Sequence, residues 1–142
     1  MLQQNVCLTN NYKVMKQSKL THGSLFSGIG GFELGAEMAG IDTLWNCEIE
    51  KFQGEILKNK FPHAERFTDI TKTTSLRYVD IISGGFPCQD ISVAGKREGI
   101  KGERSGLWSE MYRIIREVRP KYVIVENSPA LTISGLEQVL CD

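Results

Sequence analysis

The sequence predicts an α/β domain: a mostly parallel sheet with helices on both faces. Three observations predict it. From Leu20 onward, short apolar runs of strand length alternate with segments of helical period. Glycine-rich turns follow the strand-like runs at Phe26–Gly31 and Gly84–Gly85. The run Tyr122-Val123-Ile124-Val125 is apolar without interruption, as in a strand buried on both faces.

Taken in order, residues 1–19 are rich in Gln, Asn and Lys, lack a period and read as a loose extension, which leaves 20–142 as one domain. Gly23-Ser24-Leu25-Phe26 is a short strand entering a glycine turn. Ile29 to Ala39 is a helix with Ile29, Phe32 and Ala36 on one face, stopped by Gly40. Thr43 to Cys47 is a second strand. Lys51 to Lys60 is a second helix, with Phe52 and Ile56 one turn apart, ended before Pro62. Arg66-Phe67-Thr68 has the length of an edge strand. Tyr78 to Ser83 is a strand carrying Val79, Ile81 and Ile82. Leu107 to Val118 has the clearest helical period, through Leu107, Trp108, Met111, Ile114, Ile115 and Val118, and Pro120 closes it. A further helix is expected from Gly135.

Size and composition are ordinary for a globular domain: 142 residues, 41% hydrophobic and 24% charged. Collagen-like, membrane-spanning and wholly disordered classes are excluded. Net charge is zero and the pI about 6.7, whereas a module that grips nucleic acid by charge alone is expected to be basic. The cysteines Cys7, Cys47, Cys88 and Cys141 lie too far apart in sequence for a zinc-ligand pattern, so no metal is expected. The polar start, Met1 to Asn11, lacks the apolar core of a secretory signal, and a reducing cytoplasm is expected.

Chemistry-bearing residues cluster just after strands, where open parallel sheets bind ligands. The turn Phe26-Ser27-Gly28-Ile29-Gly30-Gly31 lets backbone approach a ligand. Glu33, where a dinucleotide fingerprint has its third glycine, disfavours a pyrophosphate. Glu48 ends the second strand about 20 residues beyond Gly28, the spacing of an acidic residue that bonds ribose hydroxyls. Cys88, in Gly84-Gly85-Phe86-Pro87-Cys88-Gln89, stands among turn formers rather than core residues, as an exposed nucleophile would. Glu126-Asn127 follows the fifth strand, and a carboxylic acid flanked by apolar residues there is expected to be desolvated and proton-holding. Asp90 to Ser105 is a long segment with Gly95, Gly99 and Gly102. It carries Lys96, Arg97, Lys101 and Arg104 against Asp90, Glu98 and Glu103, the composition of a phosphate-facing lid.

In this order, the segments from Leu20 to the end resemble the cytosine-5 DNA methyltransferase family. Leu25 to Phe32 is similar to the family's first motif, which implies a Rossmann-like fold and S-adenosylmethionine (SAM) bound by Phe26, Ser27, Gly28, Ile29, Gly30 and Gly31. The resemblance gives Glu48 the SAM ribose and Ile49 a place beside it. Asp69-Ile70 and Leu107 are assigned to the adenosine. Gly85 to Gln89 is similar to the Pro-Cys motif: Cys88 would be the covalent nucleophile, with Phe86, Pro87, Gln89 and Ser92 near the substrate. Glu126-Asn127 is similar to the Glu-Asn motif, Glu126 being catalytic and Asn127 substrate-binding.

The implied reaction is methyl transfer from SAM to carbon 5 of cytosine in a DNA duplex, in a bacterial or phage restriction-modification setting. The chain departs from the family pattern at Ser24, where Asp is usual, at Ile49, where an aromatic residue is usual, and at Ser128-Pro129. The expected domain is partial, ending after the fifth strand. The target-recognition region and closing helix would be absent here, and a second polypeptide carrying them is an implied partner. Two other readings are an RNA (tRNA) cytosine-5 methyltransferase and a non-catalytic SAM-binding or partner-binding fragment of a split enzyme.

Overall fold

The structure, a computed structural model, describes residues 19–87, 106–134 and 136–142. The elements in chain order are β1 (Thr21–Leu25), α1 (Gly31–Met38), β2 (Asp42–Cys47), α2 (Lys51–Lys60), β3 (Glu65–Phe67), β4 (Ile81–Gly84), α3 (Leu107–Val118), β5 (Tyr122–Val125), α4 (Leu131–Ser134) and α5 (Leu136–Cys141). The strands form one sheet in the order β3-β2-β1-β4-β5, with every neighbouring pair parallel. The chain builds outward from β1 to β3, then returns to β1's other side for β4 and β5. That reversal between β1 and β4 is where a doubly wound sheet opens a crevice at its carboxyl end.

Alternation along β1 divides the two layers. Leu25 joins Trp45, Cys47, Val79, Ile82 and Phe86 in the main core, closed by Trp108, Met111, Ile114 and Val118 of α3. Gly23 lies under the Trp45 ring: a Cβ there would stand 2.2 Å from Trp45 Cζ2. The register of β1 against β2 shifts between His22 and Gly23. The Trp45 indole N–H donates to the Arg77 carbonyl at 2.9 Å, so the ring is held at both ends.

The opposite layer, toward α1 and α2, is polar at its heart. The buried His22 ring bridges Thr43 Oγ1 at 2.9 Å and Ser83 Oγ at 2.7 Å. Burial pushes its imidazole down to about 4, so it is neutral in the fold at physiological pH.

Helices α2 and α3 have the bounds that their sequence predicts, but three expectations need correction. Strand β4 begins at Ile81, not Tyr78, because Asp80 is used as a junction. Its carboxylate accepts from Thr21 N and Thr21 Oγ1, both at 2.9 Å, and pairs with Lys121 Nζ at 2.7 Å. Phe52 is 74% exposed, and α2 packs through Gly54 and Leu57 instead. Strand β5 is not buried on both faces: it lies at the sheet edge, and Tyr122, Val123 and Ile124 are exposed. The helix expected from Gly135 is α5, which begins at Leu136, and the short α4 precedes it.

Candidate functional site

A cleft of about 340 Å³ opens beyond the carboxyl ends of β1, β2 and β4. Phe26, Glu48, Ile49, Asp69, Ile70 and Leu107, all singled out by sequence, line it together with Glu50, Thr68, Thr71, Gly85 and Pro87. Six residues from four chain segments thus meet at one place, as the strand order requires.

The turn after β1 is bent sharply. Phe26 (φ 53°), Gly28 (φ 56°) and Gly30 (φ 94°) all have left-handed backbone. This conformation is uncommon for a bulky residue such as Phe26, and it turns the ring toward the cleft wall. A Cβ at Gly30 would stand 2.5 Å from the Phe61 ring, so glycine there lets the turn settle against α2. Ser27 is buried beneath the turn, Gly31 faces α1's side of the sheet, and Ile29 is exposed. Ser27, Ile29, Gly30 and Gly31 therefore shape the turn without lining the cleft.

Glu48 joins the turn to the cleft. Its Oε2 accepts from the Gly28 amide at 2.7 Å and its Oε1 from the Glu50 amide at 2.8 Å. A carboxylate has about four lone-pair sites, so capacity remains for two hydroxyl donors. On the facing wall, Asp69 Oδ1 accepts from Thr71 N at 3.0 Å and Thr71 Oγ1 at 2.7 Å, while Lys72 Nζ lies 2.9 Å from Oδ2. The Thr71 hydroxyl and then Lys72 hold the Asp69 carboxyl below its ordinary value. Arg113 of α3 fixes this wall by donating to the carbonyls of Ile70 at 2.8 Å and Thr73 at 3.1 Å. The cleft thus combines the Glu48 carboxylate, which keeps acceptor capacity, and the Lys72-paired Asp69 with apolar Phe26, Ile70 and Leu107. That chemistry suits a nucleoside bearing a diol and a positive charge.

The second half of the site lies where β4 and β5 end. The Glu126 amide donates to the Gly84 carbonyl at 3.1 Å. A Cβ on Gly85 would stand 2.8 Å from Glu126 Oε2, so the missing side chain makes room for that carboxylate. Asn127 Nδ2 donates to the Phe86 carbonyl at 3.0 Å, and its Oδ1 accepts from the Ser128 amide at 2.8 Å. The Phe86 ring turns into the core against Trp108, with ring centroids 5.3 Å apart. The expected desolvation of Glu126 is not found: it is exposed, because β5 is an edge strand. Cys88, Gln89, Ser92 and the basic segment up to Ser105 lie outside the described residues. Pro87, the chain neighbour of Cys88, is in the cleft wall.

Sequence reasoning passed over Thr68 and Thr71 as cleft residues; it placed Gly85 in the Pro-Cys motif without showing that its missing side chain makes room for Glu126. Gly85→Ala is expected to leave urea-unfolding stability within about 1 kcal/mol, since the far end of an exposed side chain can move aside. It should displace Glu126, read as altered exchange or chemical shift at the Glu126 and Asn127 amides. Among the described residues no group of His, Cys, Asp and Glu is placed to hold a metal ion, and no helix is long and apolar enough to cross a membrane.

Residues 20–140 match the C-5 cytosine-specific DNA methylase family. The chain is 41% identical over 110 residues to the Type II methyltransferase M2.BsuMI of Bacillus subtilis (strain 168), covering 75% of this chain and 28% of that protein. It is 40% identical over 112 residues to the Type II methyltransferase M.CviJI of Paramecium bursaria Chlorella virus IL3A, covering 76% and 30%. A crystal structure described as a DNA modification methyltransferase encoded within an E. coli prophage superposes with a TM-score of 0.69 at 27% identity, over 85% of this chain and 36% of the other. The chain thus spans under a third of the length of the two curated relatives.

Proposed function

We propose, since this chain belongs to the C-5 cytosine-specific DNA methylase family, that it carries the SAM-binding site and the nucleophile of an enzyme that methylates carbon 5 of cytosine in DNA. The observation that carries this reading is the cleft in which Glu48, bonded to the Gly28 amide at 2.7 Å, faces Asp69 across an apolar floor. A nucleoside's ribose diol would take the free lone pairs of Glu48, and its base would lie against Ile70 and Leu107. The Glu48 carboxylate favours a positively charged ligand in the cleft. When bound, SAM supplies a methyl group on a positively charged sulfur.

The chain's own residues then have defined tasks. The target cytosine is extruded from the duplex. The Cys88 thiolate adds to ring carbon 6, forming an S–C bond and making carbon 5 nucleophilic. Glu126, held over Gly85, bonds ring nitrogen 3 and the amino group and stabilises charge that develops on the ring. Asn127 clamps the Phe86 carbonyl and so steadies the Pro87-Cys88 loop; Pro87, Gln89 and Ser92 complete the base pocket, while the core-packed Phe86 ring anchors the loop beneath it. After carbon 5 is methylated, loss of its proton expels Cys88 and restores the ring. Sequence-specific DNA contacts are assigned to the parts that relatives carry beyond this span, in the same or a second polypeptide. The open β5 edge, with Val123 and Ile124 exposed, supports such an addition. The proposed setting is the cytoplasm of a bacterium or of a virus-infected host.

The test is a calorimetric titration of SAM into the chain and its Glu48→Ala variant. Wild-type binding should weaken at least about 100-fold in the variant, since each hydrogen bond to a charged group contributes roughly 1.5–3 kcal/mol. Equal affinity in the two proteins would remove Glu48 from the site.

A further inference from the structure

Glu33 is the most buried acidic side chain of the described residues. It stands in the first turn of α1, 0% exposed, and neither carboxyl oxygen has a hydrogen-bond partner. Asn46 Oδ1 is also buried and unpartnered, and β2 pairs Asn46 with Ser24. Three acceptor oxygens without donors therefore occur in one layer of the molecule. An ionised carboxylate there would be held at a cost of several kcal/mol. A proton on Glu33 turns one of these acceptors into a donor.

The polar groups acting on Glu33 are few. They are its own amide and the nearby hydroxyls of Ser27 and Ser24, which favour the charged form although none is aligned to donate to it, and the carboxylate of Glu48, which opposes it. Burial outweighs them and raises the Glu33 carboxyl above its ordinary value. Ser27 Oγ donates to Ser24 Oγ at 3.0 Å, and the Ser27 amide donates to the Cys47 carbonyl at 3.1 Å. Next in the chain is Gly28, whose amide holds Glu48. The serine pair on which Glu33 bears therefore sits in the same turn that carries Gly28 and, through its amide, the residue assigned to the ribose.

We propose that Glu33 is a positioning residue for the cofactor: its buried carboxyl braces the Ser24–Ser27 pair under the turn and so sets how Gly28 and Glu48 meet the nucleoside. The cofactor part of this inference rests on the SAM-site reading above; the bracing part does not. Its sign with pH follows from the raised carboxyl. The brace is complete below the ordinary glutamate value and is lost as pH rises through the raised one, when a second negative charge appears beside Glu48.

Glu33→Gln keeps a neutral donor of the same shape, and Glu33→Ala removes it. Amide exchange at Ser27 and Gly28, without cofactor, reads the brace directly. Glu33→Ala should speed exchange there about tenfold relative to distant β5 amides, while Glu33→Gln matches the wild type at the acid end of the pH range. SAM titrations over a pH series from acid to alkaline read the coupling. Wild-type affinity should fall as pH rises through the raised Glu33 value, Glu33→Gln should stay level, and Glu33→Ala should be weaker than Glu33→Gln throughout by about tenfold, the scale of one buried hydrogen bond.

Unchanged exchange at Gly28 in Glu33→Ala, or identical pH profiles for wild type and Glu33→Gln, would overturn the proposal. If the wild type binds no SAM, the cofactor reading falls and takes the coupling with it. The brace is then upheld or refuted by the exchange data alone.

Discussion

Cys88→Ala is expected to abolish methyl transfer and every trace of covalent attachment to cytosine. Removing the atom that bonds the substrate eliminates the pathway rather than weakening it. Losses at least on the order of ten-thousandfold accompany such a change elsewhere. The measurement uses duplex DNA in which target cytosines carry fluorine at carbon 5, so that the proton needed for elimination is absent and the adduct persists. The chain, supplied with SAM and with the remaining methylase region in trans, should give a band of retarded mobility on a denaturing gel. Cys88→Ala should give none. An adduct that survives the substitution would assign the nucleophile to another residue. An adduct formed on tRNA but not on duplex DNA would keep the chemistry and change the substrate.

The second large effect concerns folding. Gly23→Ala should destabilise the chain by about 3 kcal/mol or more, the upper range for overpacking a core. The added methyl would stand 2.2 Å from a ring that is fully buried and anchored through its N–H to Arg77. Because Gly23 lies on the central strand, the strain reaches both neighbours. Urea unfolding with an unchanged slope would report it as a shift in midpoint. Combining it with Trp45→Leu should cost less than the two single changes together, since the smaller side chain relieves the clash. A wild-type midpoint for Gly23→Ala would mean that the ring can move freely.

The elements with strong periodicity were legible in the sequence, and so was the carboxyl-end grouping of Phe26 and Glu48; Asp69 and Leu107 were implied by the family resemblance rather than by the strand pattern. Helix α3 has the predicted bounds because its apolar stripe and Pro120 admit one answer. The misreadings share a cause: sequence shows how apolar a segment is but not what covers it. Tyr122 to Val125 has the composition of a doubly buried strand, yet its burial depends on its place in the sheet. Glu126 inherits that exposure. Val79 is fully buried without being in a ladder, which made β4 look longer than it is. Phe52 and Leu57 lie on different faces of α2, and only packing against Gly30 and Phe61 favours Leu57. Glu33 was read as an interruption of a glycine pattern. Its burial depends on where α1 lies over the sheet, which no local signal encodes.

The strand order has a consequence for how the chain is made. Synthesis delivers β1, β2 and β3 first, and these three are contiguous in the sheet, so a half-sheet can form while the rest is still being translated. Strand β4 then closes the longest loop, joining β1 from about sixty positions away, and this step carries the main loop-closure entropy. Strand β5 adds last, on the outer side of β4. Assembly therefore starts at the centre, runs to the β3 flank, and then turns back to fill the β4–β5 flank. When β4 emerges, the edge that awaits it belongs to β1, the strand made first, so a ribosome-bound chain must keep its oldest edge open until about sixty further residues have been added.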